Sequence, residues 1–272
     1  DSFDLTTALK GSEIVIHAAG LVSFNPRRKE EIYAVNVEGT RNLVNVCLRE
    51  GIRTVIHISS VAALGRKPDT AITEKEPWNG LFANDYARSK YLAELEVFRG
   101  GEEGLLVSAV NPSVILTGQA LHRSSASLLD YVWKERAFYT DGLLNYVDIR
   151  DVADAVLALT QSPKPGERFI LNGGSISYLE FFRQLARRWN KRAPFIRIPR
   201  PVVTAFGVAE EFRGLITGKE PVVTRHSAAM TTQRFTYDTT KTAQQLHPRF
   251  RALEDTLDWC CTRYAQEVNG NK

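Results

Sequence analysis

The sequence predicts an α/β fold: a doubly wound parallel sheet with a smaller, mostly helical region attached. Three observations lead there. Short β-branched runs end in small polar residues, helical stretches of about 15 residues alternate with them, and the alternation loosens beyond Pro112. The chain has 272 residues, 43% of them hydrophobic, enough for one large domain or a main domain with a smaller partner.

Taken in order, residues 14–17 form a short apolar run followed by the small residues Ala18, Ala19 and Gly20. A long helical pattern opens at Pro26, with Ile32, Val35, Leu43, Val46 and Cys47 recurring near helical spacing, and Gly51 stops it. Residues 54–58 are β-branched and end in Ser59 and Ser60, as expected of a buried strand with small polar groups at its C-terminal end. A loop containing Gly65, Pro68 and Pro77 leads to Asn84, which is placed to cap a helix through Tyr86, Lys90, Leu92 and Leu95. Residues 105–110 are the next strand. In such sheets chemistry gathers outside the C-terminal strand ends, where Ser60 and Asn111 would sit. Further along, residues 124–133, 152–159 and 179–189 read as helices and 145–147 and 169–171 as extended pieces. Pro194 to Pro201 interrupts the regular pattern, and a last helix includes Leu253, Leu257 and Trp259. The expected division is a partial core over residues 1–117, then a mixed region over 118–272 with a substrate cap and elements returning to the core.

Composition narrows the function classes. Lys and Arg number 35 against 31 Asp and Glu, a formal charge of +4 scattered through helical stretches, with no basic arm to suggest a nucleic-acid partner. Cys47, Cys260 and Cys261 fit no metal-ligand spacing and read as reduced, mostly buried thiols, so no metal is expected. No apolar run approaches the roughly 20 residues of a membrane span, and the cytoplasm is the default location.

Tyr86 and Lys90 are four residues apart on one helix, so they share a face. A neighbouring ammonium favours the phenolate of a tyrosine, which lets the hydroxyl exchange a proton with a substrate oxygen nearer neutrality. A strand-end serine can orient the same oxygen by hydrogen bond. On spacing alone, such a pair is more often an ordinary feature of a helix surface.

The ordered motifs add to this. His17-Ala18-Ala19-Gly20 follows a strand, Asn36-Val37-Glu38-Gly39-Thr40 lies inside the next helix, and Ser59-Ser60 closes the following strand. Tyr86-Ala87-Arg88-Ser89-Lys90, Asn111-Pro112-Ser113 and the stretch from Tyr146 to Ala153 complete the series. Over nearly its full length the sequence resembles the extended short-chain dehydrogenase/reductases, the NAD-dependent epimerase/dehydratase superfamily. Its wording is closest to the dihydroflavonol reductase and hydroxysteroid dehydrogenase branch.

That resemblance implies a Rossmann-type dinucleotide-binding core and hydride transfer between NAD(P) and a secondary alcohol or ketone. Tyr86 would be the general acid and base. Lys90 would lower its pKa and bind the nicotinamide ribose, and Ser60 would orient the carbonyl. Ala18, Ala19, Ser59, Tyr86, Lys90, Pro112 and Ser113 are the implied cofactor contacts, with Ser59 facing either the cofactor or the backbone. His17 reads as a packed, hydrogen-bonded residue. Asn36 would hold a network near the active centre or serve helix packing, and Asp148, Arg150 and Asp151 would brace the following helix.

The glycine-rich turn of the family does not occur in the sequence, so the core is expected to be N-terminally incomplete by two strand-helix units, about 60 residues. The cofactor would be NADP or NAD, with a lean to NADP taken from the reductase-like branch. Val61 stands where dehydratases of the family place an acid, which argues against dehydration. Sugar-nucleotide epimerisation is the alternative, and a non-catalytic dinucleotide-binding module is a third reading. Leu64, Leu81, Phe82 and Val114 would line a cleft for a hydrophobic substrate or simply close the core. A homodimer is implied through the helix after Pro26 and the helix bearing Tyr86, although burial on the chain's own sheet would use the same apolar residues.

Overall fold

The computed structural model describes residues 2–67, 70–81, 83–119, 126–217 and 234–270. Pro68, Phe82 and residues 124–125, named above, lie outside the described residues.

The first half alternates strand and helix. Helix α1 (Ser2–Leu9) precedes β1 (Ile14–His17), and helices α2 (Lys29–Tyr33) and α3 (Gly39–Arg49) lead to β2 (Thr54–Ile58). The two-residue strand β3 (Ala71–Ile72) comes before the long helix α4 (Asp85–Glu102), which is followed by β4 (Leu106–Pro112) and β5 (Val114–Leu116). Helix α5 (Ala126–Trp133), β6 (Phe138–Tyr139), β7 (Leu143–Asp148), α6 (Ile149–Gln161), β8 (Glu167–Leu171) and β9 (Gly174–Ser177) come next. The chain ends with α7 (Tyr178–Arg188), β10 (Ile196–Arg197), α8 (Arg200–Thr217), β11 (Thr236–Tyr237), α9 (Thr240–Leu246) and α10 (Leu253–Gly270).

The main sheet has the order β1-β2-β4-β8 and every pairing in it is parallel. Its two faces are covered from different parts of the chain, which makes the sheet doubly wound. On one face Val15, Val55 and Val107 pack with Leu43, Val44 and Cys47 of α3 and Val97 of α4. On the other, Ile56, Val110 and Phe169 pack with Val152, Ala155, Val156 and Leu159 of α6. A strand with helices on both sides needs apolar residues at successive positions, which is why Val55 and Ile56 are both buried. β8 brings the second half of the chain back into this sheet. A smaller sheet of order β5-β7-β9 packs with α5, α7 and α10 around Phe181, Leu185 and Leu257.

The helical pattern from Pro26 is broken into pieces. Asn25 caps a 3₁₀ turn at Pro26–Arg28 by accepting from the Arg27 amide, and a π turn at Ala34–Glu38 separates α2 from α3. The π turn holds Asn36, whose side chain reaches out of the helix to the backbone of Leu21. Such single-turn π segments concentrate near functional sites. Gly51 ends the run with φ +71, a left-handed conformation that costs glycine little.

Candidate active site

The C-terminal ends of β1, β2 and β4 converge on one face of α4. Asn84 caps this helix by accepting from the Ala87 amide at 2.7 Å, which sets the helical phase of everything after it. Tyr86, Lys90 and Glu94 then fall one turn apart along the same stripe. The Phe24 and Tyr86 rings meet edge to face, 6.0 Å between centroids and 81° between planes.

Ser60 and Tyr86 are brought together. Burial holds the Tyr86 phenol above its ordinary value, and the neighbouring Ser60 hydroxyl acts the other way, favouring the phenolate. Ser60 is also the cap of the short 3₁₀ turn Val61–Ala63, its Oγ accepting from the Ala62 amide at 3.1 Å. Lys90 lies one helical turn beyond Tyr86. Its ammonium donates to the Ile58 carbonyl at 2.8 Å. Burial lowers its pKa to about 8, against the opposing pull of the Glu94 carboxylate.

Ser59 points elsewhere. Its hydroxyl donates to Glu94 Oε2 at 2.6 Å, within the buried interior, so its expected place beside a cofactor is not where the side chain goes. Asn111 Nδ2 donates to the same carboxylate oxygen at 2.9 Å and to the Ser60 carbonyl at 3.0 Å. Arg168 Nε on β8 reaches Glu94 Oε1 at 3.1 Å. Glu94 and Arg168 were missed in the sequence, although extending the Tyr86 and Lys90 spacing by four more residues arrives at Glu94.

His17 is a packed residue. Thr40 spends its one proton on the Asn36 carbonyl at 2.6 Å, so His17 Nε2 is the donor in its 2.8 Å bond to Thr40 Oγ1. Burial, and then the Lys90 charge, lowers the His17 pKa to about 4. His57 lies beside it, ring centroids 5.1 Å apart, and burial, and then the Lys90 charge, keeps it well below the usual histidine range. Asn36 does belong to the surroundings of the centre: its Nδ2 donates to Ser89 Oγ at 2.8 Å as well as to Leu21.

Ala18, Ala19 and Gly20 are exposed small residues directly beyond β1. A Cβ built on Gly20 would stand 3.8 Å from Lys90 Nζ, so this strip borders the ammonium. At the end of β4, Asn111 Oδ1 and Ser113 Oγ are buried polar atoms without partners among the described residues, beside Pro112. An open strip of small residues, a cation and unpaired polar atoms along one sheet edge fit a flat amide-bearing ring and its ribose. Of the residues expected to line a cleft or close the core, Leu64 is core, packed with Ile72, Ile170 and Phe235. Leu81 is exposed, and Val114 packs against the cluster around Leu129 and Phe181. Asp148 caps α6 and pairs with Arg150, and Asp151 pairs with Arg251, so all three brace the fold. The three cysteines are free and buried, and burial raises their thiols to about 11 for Cys47 and about 12 for the other two. Among the described residues no helix is long and apolar enough to cross a membrane.

The sequence model of the 3-beta hydroxysteroid dehydrogenase/isomerase family matches residues 1–148. A Synechocystis sp. protein provisionally named dihydroflavonol 4-reductase is 28% identical over 268 residues, which cover 94% of this chain and 78% of that one. Among solved structures, that of gox2253 superposes with a TM-score of 0.82 at 29% identity, over 98% of this chain and 82% of the other. MoeE5, solved with UDP-glucose and NAD, superposes with a TM-score of 0.77 at 19% identity, over 97% and 83% of the two chains.

Proposed function

The chain belongs to the 3-beta hydroxysteroid dehydrogenase/isomerase family, within the NAD-dependent epimerase/dehydratase superfamily, and we propose that it interconverts a secondary alcohol and a ketone by hydride transfer. The observation that carries this reading is the placing of the Ser60 hydroxyl beside the Tyr86 phenol, with Lys90 one helical turn further on and its ammonium on the Ile58 carbonyl. A nicotinamide dinucleotide, lying along Ala18, Ala19 and Gly20 towards Lys90, Pro112 and Ser113, would supply or accept the hydride.

The protein's own residues handle the proton and the geometry. In reduction the Tyr86 phenol gives its proton to the carbonyl oxygen as that oxygen gains charge, leaving a phenolate that accepts from the Ser60 hydroxyl. In oxidation the same phenolate takes the alcohol proton. Lys90, held over the Ile58 carbonyl, has N–H bonds left for a ribose hydroxyl and places positive charge on the reacting face. Burial keeps the phenol protonated in the resting enzyme, which suits the donor role.

A second reading shares this chemistry. The likeness to MoeE5, solved with UDP-glucose and NAD, favours a sugar nucleotide that is oxidised and re-reduced on the enzyme without net cofactor turnover. Val61 beside Ser60 supplies no acid for elimination, so epimerisation rather than dehydration would follow.

The test is oxidation of NADH and NADPH against a panel containing a dihydroflavonol, a ketosteroid and an aromatic aldehyde, with UDP-glucose interconversion followed in parallel. Tyr86→Phe should lower whichever activity is found by about a hundredfold or more. Full activity in that variant would overturn the mechanism.

A further inference from the structure

We propose that Glu94 is a positioning residue of the reaction centre: its buried carboxylate fixes the Ser59-Ser60 strand end beneath Tyr86 and serves as the counter-charge of Lys90. This rests on the proton-transfer reading of Tyr86, Ser60 and Lys90.

The cost of placing Glu94 is the first argument. It is 1% exposed in the middle of α4, where an ionised carboxylate is expensive unless its lone pairs are filled. They are filled, by Ser59 Oγ and Asn111 Nδ2 on one oxygen and by Arg168 Nε on the other. An apolar side chain would pack here at less cost, and Arg168, about a quarter exposed, could turn to solvent without it.

What these bonds hold is the second argument. Ile58, Ser59 and Ser60 are each tied to α4 or β4. Lys90 donates to the Ile58 carbonyl, Ser59 donates to Glu94, and Asn111 donates to the Ser60 carbonyl. Glu94 also dictates how Asn111 is turned. Both groups that Asn111 Nδ2 meets, the Glu94 carboxylate and the Ser60 carbonyl, can only accept, so the amide nitrogen must face them. The Ser60 backbone is thereby held from one side, and its hydroxyl is left to Tyr86 and the Ala62 amide. A loose strand end would spoil the reaction, because small displacements of an orienting group lower rates steeply.

The charge is the third argument. The Lys90 charge reaches His17 of β1 and His57 of β2, and both lie far enough below neutrality to be uncharged. Tyr86 on its own helix is held as the neutral phenol. Glu94, one turn beyond Lys90 on the same stripe of α4, favours the ammonium, and Arg168 faces Glu94 from β8 on the far oxygen.

Two substitutions in the full chain separate the two parts of the proposal, read by nitrogen NMR of lysine-labelled protein and by kcat and KM on the best carbonyl probe of the panel. In Glu94→Gln the Lys90 titration should move below about 8, with kcat down on the order of tenfold and cofactor KM within about twofold. Ser59→Ala keeps the charge but cuts the bond to the strand end, so kcat should fall several-fold while Lys90 titrates as in the parent. Unchanged Lys90 titration in a folded Glu94→Gln, parental kcat in Ser59→Ala, or a rise confined to cofactor KM in either variant would overturn the proposal. Full activity of Tyr86→Phe would sink the proton-transfer reading instead, and the Lys90 titration would still decide the role of Glu94 as counter-charge.

Discussion

Asn36 holds both backbone groups of Leu21: its Oδ1 accepts from the Leu21 amide at 2.7 Å and its Nδ2 donates to the Leu21 carbonyl at 3.0 Å. The pair closes the turn after Ala18, Ala19 and Gly20, so a side chain in a π turn sets the wall of the candidate cofactor strip. Leu21 and Asn36 are both buried, which leaves no water to replace these bonds.

Asn36→Ala should therefore destabilise the protein by about 2–4 kcal/mol, the cost of leaving buried backbone groups unpaired. Asn36→Asp should rescue only part of this, since a carboxylate satisfies the Leu21 amide but faces the Leu21 carbonyl with no proton to give. Chemical denaturation of the three proteins checks the order, and equal stability of Ala and parent would refute it.

Ser60→Ala removes the hydroxyl beside the Tyr86 phenol and the cap on the Ala62 amide. The phenol should move further above its ordinary value, because burial then acts unopposed. Loss of one such donor lowers kcat by about a hundredfold in comparable sites. Ultraviolet titration of tyrosine together with kcat measures both, and a kcat within twofold of the parent would count against Ser60 as the orienting group.

Acid stability has a sign that His17 determines. Its pKa falls from 6.5 to about 4 on folding, so between those values the unfolded chain binds the extra proton. Stability should consequently decline as pH drops from about 6.5 towards 4, and His57, shifted the same way, adds to the slope. His17→Gln keeps a donor for Thr40 and does not titrate, so its stability curve should be shallower in that window. A parental slope in the variant would exclude His17 as a source.

Gly65 is packed without room for a side chain. A Cβ there would lie 1.9 Å from the Pro77 carbonyl oxygen and 2.8 Å from its carbon, both backbone atoms that cannot swing aside. Gly65→Ala should cost about 3 kcal/mol or more and displace the loop that begins at Ser60. Gly101→Ala meets only the tip of Val107, at 2.8 Å, and should be milder. Thermal melts of both would show whether backbone contact is the difference.

Much of the core was legible in the sequence for local reasons. The β-branched run Thr54–Ile58, the cap at Asn84 and the stop at Gly51 each act through their own few residues, and each lies where its residue types require. Other features depend on distant partners. The π turn around Asn36 exists because Leu21 and Ser89 draw the side chain out. Leu64 is core because β8 and residue 235 arrive from the second half of the chain to cover it. Neither has a signature in its own neighbourhood.

The sequence by itself determined that Tyr86 and Lys90 share a helix face, since helical phase follows from the cap and a spacing of four. Spacing did not separate two adjacent serines, which are locally equivalent at the end of a strand, although the family resemblance pointed to Ser60. The docking of α4 across the end of β2 separates them, giving the Ser59 hydroxyl to Glu94 and leaving the Ser60 hydroxyl beside Tyr86. Hydrogen bonds between elements are set by packing, and packing is a property of the whole sheet rather than of either segment.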